Sequence, residues 1–150
     1  MNATNTSNGF TLEMTRIFKA PPKEVFDAWT KPEAVCRWFA PSSDMTSEVD
    51  KLELTVGGKY QFKMTEPEGD TFIAAGEYIK ISPPDELIFT WAWIHGDDKS
   101  EMLISLNFRE VNDNTELTLL QERLPTQELK DLHNEGWTAC LARLAEFVEQ

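Results

Sequence analysis

Cysteine is scarce in this chain of 150 residues: Cys36 and Cys140 are the whole supply, and they are far apart. A secreted domain of this size would carry more, so a reduced, intracellular setting is the simplest expectation. No apolar run approaches the length of a membrane span, and residues 1–9 lack the basic and apolar regions of a signal peptide. The expected location is the cytoplasm. Positive charge is short too, since 14 Lys and Arg against 26 Asp and Glu leave a formal charge of −12. A field of that sign repels phosphate backbones and anionic lipid heads, which makes nucleic acid and membrane surfaces poor partners.

Several chemical signatures are also missing. The chain has no His-x-x-x-His pair, Cys-x-x-Cys pair or spaced acidic ladder, so no bound metal is expected. It has no Gly-x-Gly-x-x-Gly and no P-loop, and Gly57-Gly58 leads into a strand rather than a helix; no cofactor is expected. The acidic clusters Glu66/Glu68/Asp70 and Asp97/Asp98 fall in turns, where they read as solvated rather than as calcium ligands.

What is present is periodic. Residues 1–9 read as a disordered tail and 10–150 as one domain, long enough to bury a sizeable core. Phe10, Leu12, Met14 and Phe18 alternate as in a half-buried strand, with Arg16 on the same parity. Pro21-Pro22 ends that strand, and Val25, Phe26 and Trp29 form a helical stripe. Thr30-Lys31-Pro32-Glu33 has the form of a capping box opening a second short helix, which carries Val35, Trp38 and Phe39 and stops at Pro41.

Strands then follow as far as Leu124. A modest one covers 47–54, and a one-sided one carries Tyr60, Phe62 and Met64. Residues 71–81 are apolar on both parities, which implies a bulge near Gly76 or burial of both faces. Leu87, Phe89, Trp91 and Trp93 alternate, as do Met102, Ile104, Leu106 and Phe108, and then Leu117, Leu119 and Gln121. Turns are expected at 66–70, 82–85, 95–98 and 112–114. Thr126 caps a long helix whose stripe runs from Leu129 through His133, Gly136, Trp137 and Cys140 to Val148.

The order predicts an α+β fold, a curved antiparallel sheet of about seven strands holding one long C-terminal helix. One helix cannot fill such a concavity evenly, so an apolar pocket beside it is expected. The sequence also resembles the heat-shock-protein-90 ATPase activator homologue family of the START-like (SRPBCC) helix-grip superfamily. The likeness is carried by Arg16, Ala20-Pro21-Pro22-Lys23-Glu24-Val25-Phe26, Trp29-Thr30-Lys31-Pro32-Glu33 and Arg37-Trp38-Phe39. It continues through Val56-Gly57-Gly58, Gly76-Glu77-Tyr78, the run from Ser82 to Leu87, Phe89-Thr90-Trp91 and Gly136-Trp137. The resemblance implies the helix-grip fold over nearly the whole chain after the tail. It does not carry co-chaperone activity over, because the co-chaperone that names the family has a separate N-terminal domain that nothing here matches.

The candidate pocket lining is Trp38, Phe39, Tyr60, Phe62, Trp91 and Trp93, with Met102, Ile104, Gln121, His133, Gly136, Trp137 and Cys140. Aromatic walls suit flat or greasy ligands, although the same residues could simply fill the core. Gly136 either clears space for a ligand or makes room for Trp91 or Trp93. Arg16 is a candidate polar anchor, with a structural ion pair as the commoner outcome for a buried guanidinium. Gln121 is a second, more often satisfied by protein. His133 is the best titratable candidate, although a half-exposed helix position is the commoner outcome, and no catalytic residue is assigned.

The reading is therefore a binding protein for a small hydrophobic or aromatic molecule, a carrier or sensor. The alternatives are a pocket enzyme of cyclase, dehydratase or hydrolase type, and a stress- or chaperone-associated interaction domain. The chain could pair as a homodimer, and nothing in the sequence supports a chaperone partner.

Overall fold

The computed structural model describes residues 9–94 and 100–149. Residues 1–8 of the expected tail and the turn expected at 95–98 lie outside the described residues.

The elements run β1 (Phe10–Phe18), α1 (Pro22–Thr30), α2 (Pro32–Trp38), β2 (Thr46–Leu52), β3 (Lys59–Thr65), β4 (Thr71–Ser82), β5 (Glu86–Trp93), β6 (Met102–Val111), β7 (Asn114–Leu124) and α3 (Gln127–Val148). The seven strands form one antiparallel sheet in the order β1-β7-β6-β5-β4-β3-β2. From β2 to β7 the chain is a meander, and β1 closes the opposite edge by pairing with β7. The two short helices carry the chain from one edge of the sheet to the other. This is the expected α+β helix-grip architecture.

Local chemistry sets the joints. Lys31 precedes Pro32 and is therefore pushed into extended backbone (φ −105°, ψ 124°), which ends α1 and begins α2. The expected capping box does not form there. Lys31 is the N-cap, Thr30 is the last residue of α1, and its hydroxyl donates back to the Phe26 carbonyl at 3.1 Å. Pro32 holds Lys31 extended at the N-cap position, which leaves Thr30 in the last turn of α1 with its hydroxyl spent on the turn behind it.

Asn112 and Asp113 (φ 52° and 69°) make the two-residue turn between β6 and β7, as their tolerance of positive φ predicts. The bulge expected near Gly76 lies instead at Ile79, where the β4–β5 register shifts between Tyr78 and Lys80. Gly76 answers a different need: a Cβ there would stand 2.0 Å from the Thr90 carbonyl oxygen. Thr126 caps α3 as expected, its hydroxyl oxygen accepting from the Leu129 amide at 3.0 Å.

The core lies between the concave face of the sheet and the three helices. Leu106, Leu117, Leu119 and Leu144 are wholly buried there. The backbone of α3 runs close to β1, β7 and both short helices but stands back from β3, β4 and β5. That stand-off positions the cavity.

Candidate ligand pocket

A cavity of about 430 Å³ opens between α3 and the β3–β5 half of the sheet. This lies in the size range of small-molecule sites. Its floor is made of buried side chains, Phe39, Met64, Trp91, His133, Trp137 and Cys140, while Pro41, Met45, Glu66, Phe72, Leu129 and Leu132 form an outer rim with partial or full exposure. Leu132 is 58% exposed, an apolar side chain held at the mouth.

Of the residues expected from sequence, Phe39, Trp91, Trp93, His133, Gly136, Trp137 and Cys140 line this space. The others do not. Trp38 is buried behind it, donating its indole N–H to the Ala28 carbonyl at 2.9 Å. Tyr60 and Phe62 border a separate void of about 10 Å³ with Trp29 and Phe89, at or below the room one water needs. Met102 and Ile104 are solid core, fully buried and outside the cavity lining. Gln121 is fully buried but engaged, accepting from Trp137 Nε1 at 2.9 Å and donating to Met102 Sδ at 3.3 Å.

Arg16 is a correction. It shares the inward parity of β1, yet it is exposed. β1 is an edge strand, and the guanidinium carbon lies 5.8 Å from the Phe18 ring centroid, so the stem covers apolar surface while the charge stays in water. It anchors nothing in the cavity.

His133 is also not half-exposed, as its helical position suggested, but only 7% exposed. Its Nδ1 lies 3.0 Å from the Leu129 carbonyl, and its Nε2 accepts from Trp93 Nε1 at 3.0 Å. Burial pushes its pKa below the usual 6.5, with the Leu129 carbonyl opposing more weakly. The Cys140 thiol is pushed up to about 12 by burial, with the Arg143 charge and the Ala40 backbone opposing more weakly, so it is held as a thiol. Seven residues of helix, roughly 10 Å, separate these two groups. At that separation along the helix the imidazole is not placed to take the thiol's proton.

The aromatic wall is mutually braced. Trp91 meets Trp93 edge-on at 5.3 Å and 86°, Trp137 at 5.3 Å and Phe39 at 5.8 Å. Trp137 also meets Phe39 at 6.0 Å. Small residues make room for these rings on the neighbouring strand: Trp93 is paired with Ala74, and Gly76 falls opposite Trp91. Gly136 faces open space, since a Cβ built there meets nothing within 4 Å. Of its two expected roles, making room for Trp91 or Trp93 is not the one the glycine plays, since neither ring comes within 4 Å of that point.

Sequence reasoning missed Pro41, Met45, Met64, Glu66, Phe72, Leu129 and Leu132. Glu66 had a legible signal, because it continues the inward parity of Tyr60, Phe62 and Met64 by one more step. Its place in a turn of acidic composition hid it. Pro41 and Met45 belong to the segment after α2, which is pinned to α3 from two positions. Arg143 Nη1 donates to the Ala40 and Ser42 carbonyls at 3.3 and 3.2 Å, and Cys140 meets Ala40. No periodicity announces such a pin. Among the described residues no group of three or more His, Cys, Asp or Glu could hold a metal ion, and no helix is long and apolar enough to cross a membrane.

Residues 19–149 match the family model for Activator of Hsp90 ATPase homolog 1-like protein. Among solved structures, the chain is similar to a Chromobacterium violaceum protein at TM-score 0.87 and 23% identity, covering 93% of this chain and 97% of that one. A Staphylococcus epidermidis protein matches at TM-score 0.78 and 28% identity, over 93% of this chain and 90% of that one. The AHSA1 protein of Silicibacter pomeroyi matches at TM-score 0.78 and 26% identity, over 91% and 96%. No curated protein matches the chain.

Proposed function

The chain belongs to the Activator of Hsp90 ATPase homolog 1-like family, with the START-like helix-grip fold, and on that premise we propose that it binds a small hydrophobic molecule as a cytoplasmic carrier or sensor. The observation that carries this reading is Gly136. A helix interior tolerates glycine at a cost of about 1 kcal/mol against alanine, and here nothing from the sheet or the other helices comes within 4 Å of where a Cβ would stand. The room is left beside Trp91, Trp137 and Phe39, a wall suited to apolar carbon.

The energetics set the expected affinity. An occupant burying about 250 Å² of apolar surface gains roughly 6 kcal/mol at ~25 cal/mol per Å². Rigid-body and ordering costs offset part of that gain, so binding in the micromolar range or weaker is expected for a purely apolar molecule.

The test has two arms. Native mass spectrometry of protein purified from its source should show a retained small molecule. The neutral dye N-phenylnaphthylamine should fluoresce with the native protein and lose that signal in Gly136→Leu, whose side chain would grow into the cavity. Equal dye binding by a folded Gly136→Leu variant would remove the cavity as the site.

A further inference from the structure

We infer that the occupant of this cavity carries a positively charged end, held at the mouth by the carboxylate of Glu66. This inference rests on the ligand-binding reading above and names the class of ligand.

His133 is engaged at both ring nitrogens, by Leu129 and Trp93. The Cys140 thiol stays neutral and is at most a weak donor, and Gln121 and Trp137 satisfy one another behind the surface. Nε1 of Trp91 has no partner but is fully covered, so it offers nothing to an occupant. The interior therefore presents no polar group ready for a carboxylate or phosphate, and burying such an anion there would be costly.

Glu66 is different. It sits at the rim, on the inward parity of β3, and has no ion-pair partner among the described residues. Lysines elsewhere on the sheet are paired: Lys63 with Glu48 at 3.0 Å, Lys59 with Glu77 at 2.8 Å, and Lys80 with Glu86 at 2.7 Å. None of the described residues lining the cavity is a lysine or arginine. The whole chain, this carboxylate included, carries a net charge of −12.

A ligand with an apolar body and an ammonium end fits both parts. Its carbon fills the aromatic interior, while the cation stays at the partly hydrated rim and avoids the desolvation that full burial would impose. The long-range field draws cations toward the mouth and repels anions.

Octylamine, octanol and octanoate share one apolar chain and differ in end charge, so displacement of N-phenylnaphthylamine by each, confirmed by calorimetry, tests the inference. Octylamine should compete most strongly and octanoate least, by about tenfold between them. Glu66→Gln keeps the shape and backbone bonds of the turn. It should weaken octylamine about threefold to fivefold more than it weakens octanol, and raised salt should mimic it. Octanoate binding as tightly as octylamine, or an amine preference that survives Glu66→Gln, would overturn the assignment of Glu66 while octanol binding upheld the pocket. Failure of octanol itself to displace the dye would sink the ligand-binding reading, and this inference with it.

Discussion

Trp93 and His133 join the sheet to the long helix across the cavity wall, through a 3.0 Å hydrogen bond between indole Nε1 and imidazole Nε2. An indole N–H only donates, so Nε2 must offer a lone pair. The Leu129 carbonyl, 3.0 Å from Nδ1, only accepts, so the proton sits on Nδ1. The neutral imidazole satisfies both neighbours, whereas protonation would set two N–H groups against each other.

Stability should consequently fall on mild acidification. His133 in the folded chain has its pKa lowered from 6.5, so as pH drops below about 6.5 the unfolded chain takes up a proton that the folded chain refuses. The penalty is absent well above 6.5, grows down to the lower folded value, and is constant beneath it. Urea unfolding of the native protein and of His133→Gln, compared from about pH 5 to about pH 8, should show a free-energy difference that shrinks on the acid side. A flat difference would contradict the neutral, buried state.

Two glycines should respond in opposite directions to the same change. Gly136→Ala places a methyl in open space on a regular helix and should stabilise the protein by about 0.5–1 kcal/mol, read as a rise in Tm. Gly76→Ala drives a Cβ to 2.0 Å from the Thr90 carbonyl and to 2.8 Å from the Tyr60 hydroxyl. Backbone must move, and a loss of about 3 kcal/mol or more is expected.

Trp137 should prove a structural residue as much as a binding one. Trp137→Phe keeps an aromatic ring but strips Gln121, fully buried, of its donor, at a cost of about 1–3 kcal/mol. Adding Gln121→Leu removes the orphaned amide and should recover part of that loss, which a double-mutant cycle would measure. Trp137→Ala also opens space among Trp29, Phe39 and Trp91, and about 3–5 kcal/mol should go. That variant cannot separate weakened binding from unfolding.

The two thiols should differ sharply in reactivity. Cys36 is exposed, while Cys140 is buried in the cavity wall with its pKa pushed up to about 12. Titration with a bulky aromatic disulfide at neutral pH should modify one thiol per native chain and two per unfolded chain. Rapid reaction of both in the native protein would show that the wall around Cys140 opens readily.

The sequence by itself determined the elements, because alternation and helical spacing report which side of a segment avoids water. The stripes of β3, β5, β6 and α3, the Asn112-Asp113 turn and the Thr126 cap all follow from neighbours a few residues apart. Parity alone misjudged Arg16, since it does not reveal that β1 is an edge strand where a long cation can reach water. It put Met102 and Ile104 on the inward face without separating cavity lining from filled core, and composition hid the inward step at Glu66. The cavity was decided only in three dimensions. It exists because α3 lies against β1 and β7 yet stands back from β3–β5, with Gly136 leaving that gap unfilled. Empty volume is a property of how separated segments meet, and no local pattern encodes it.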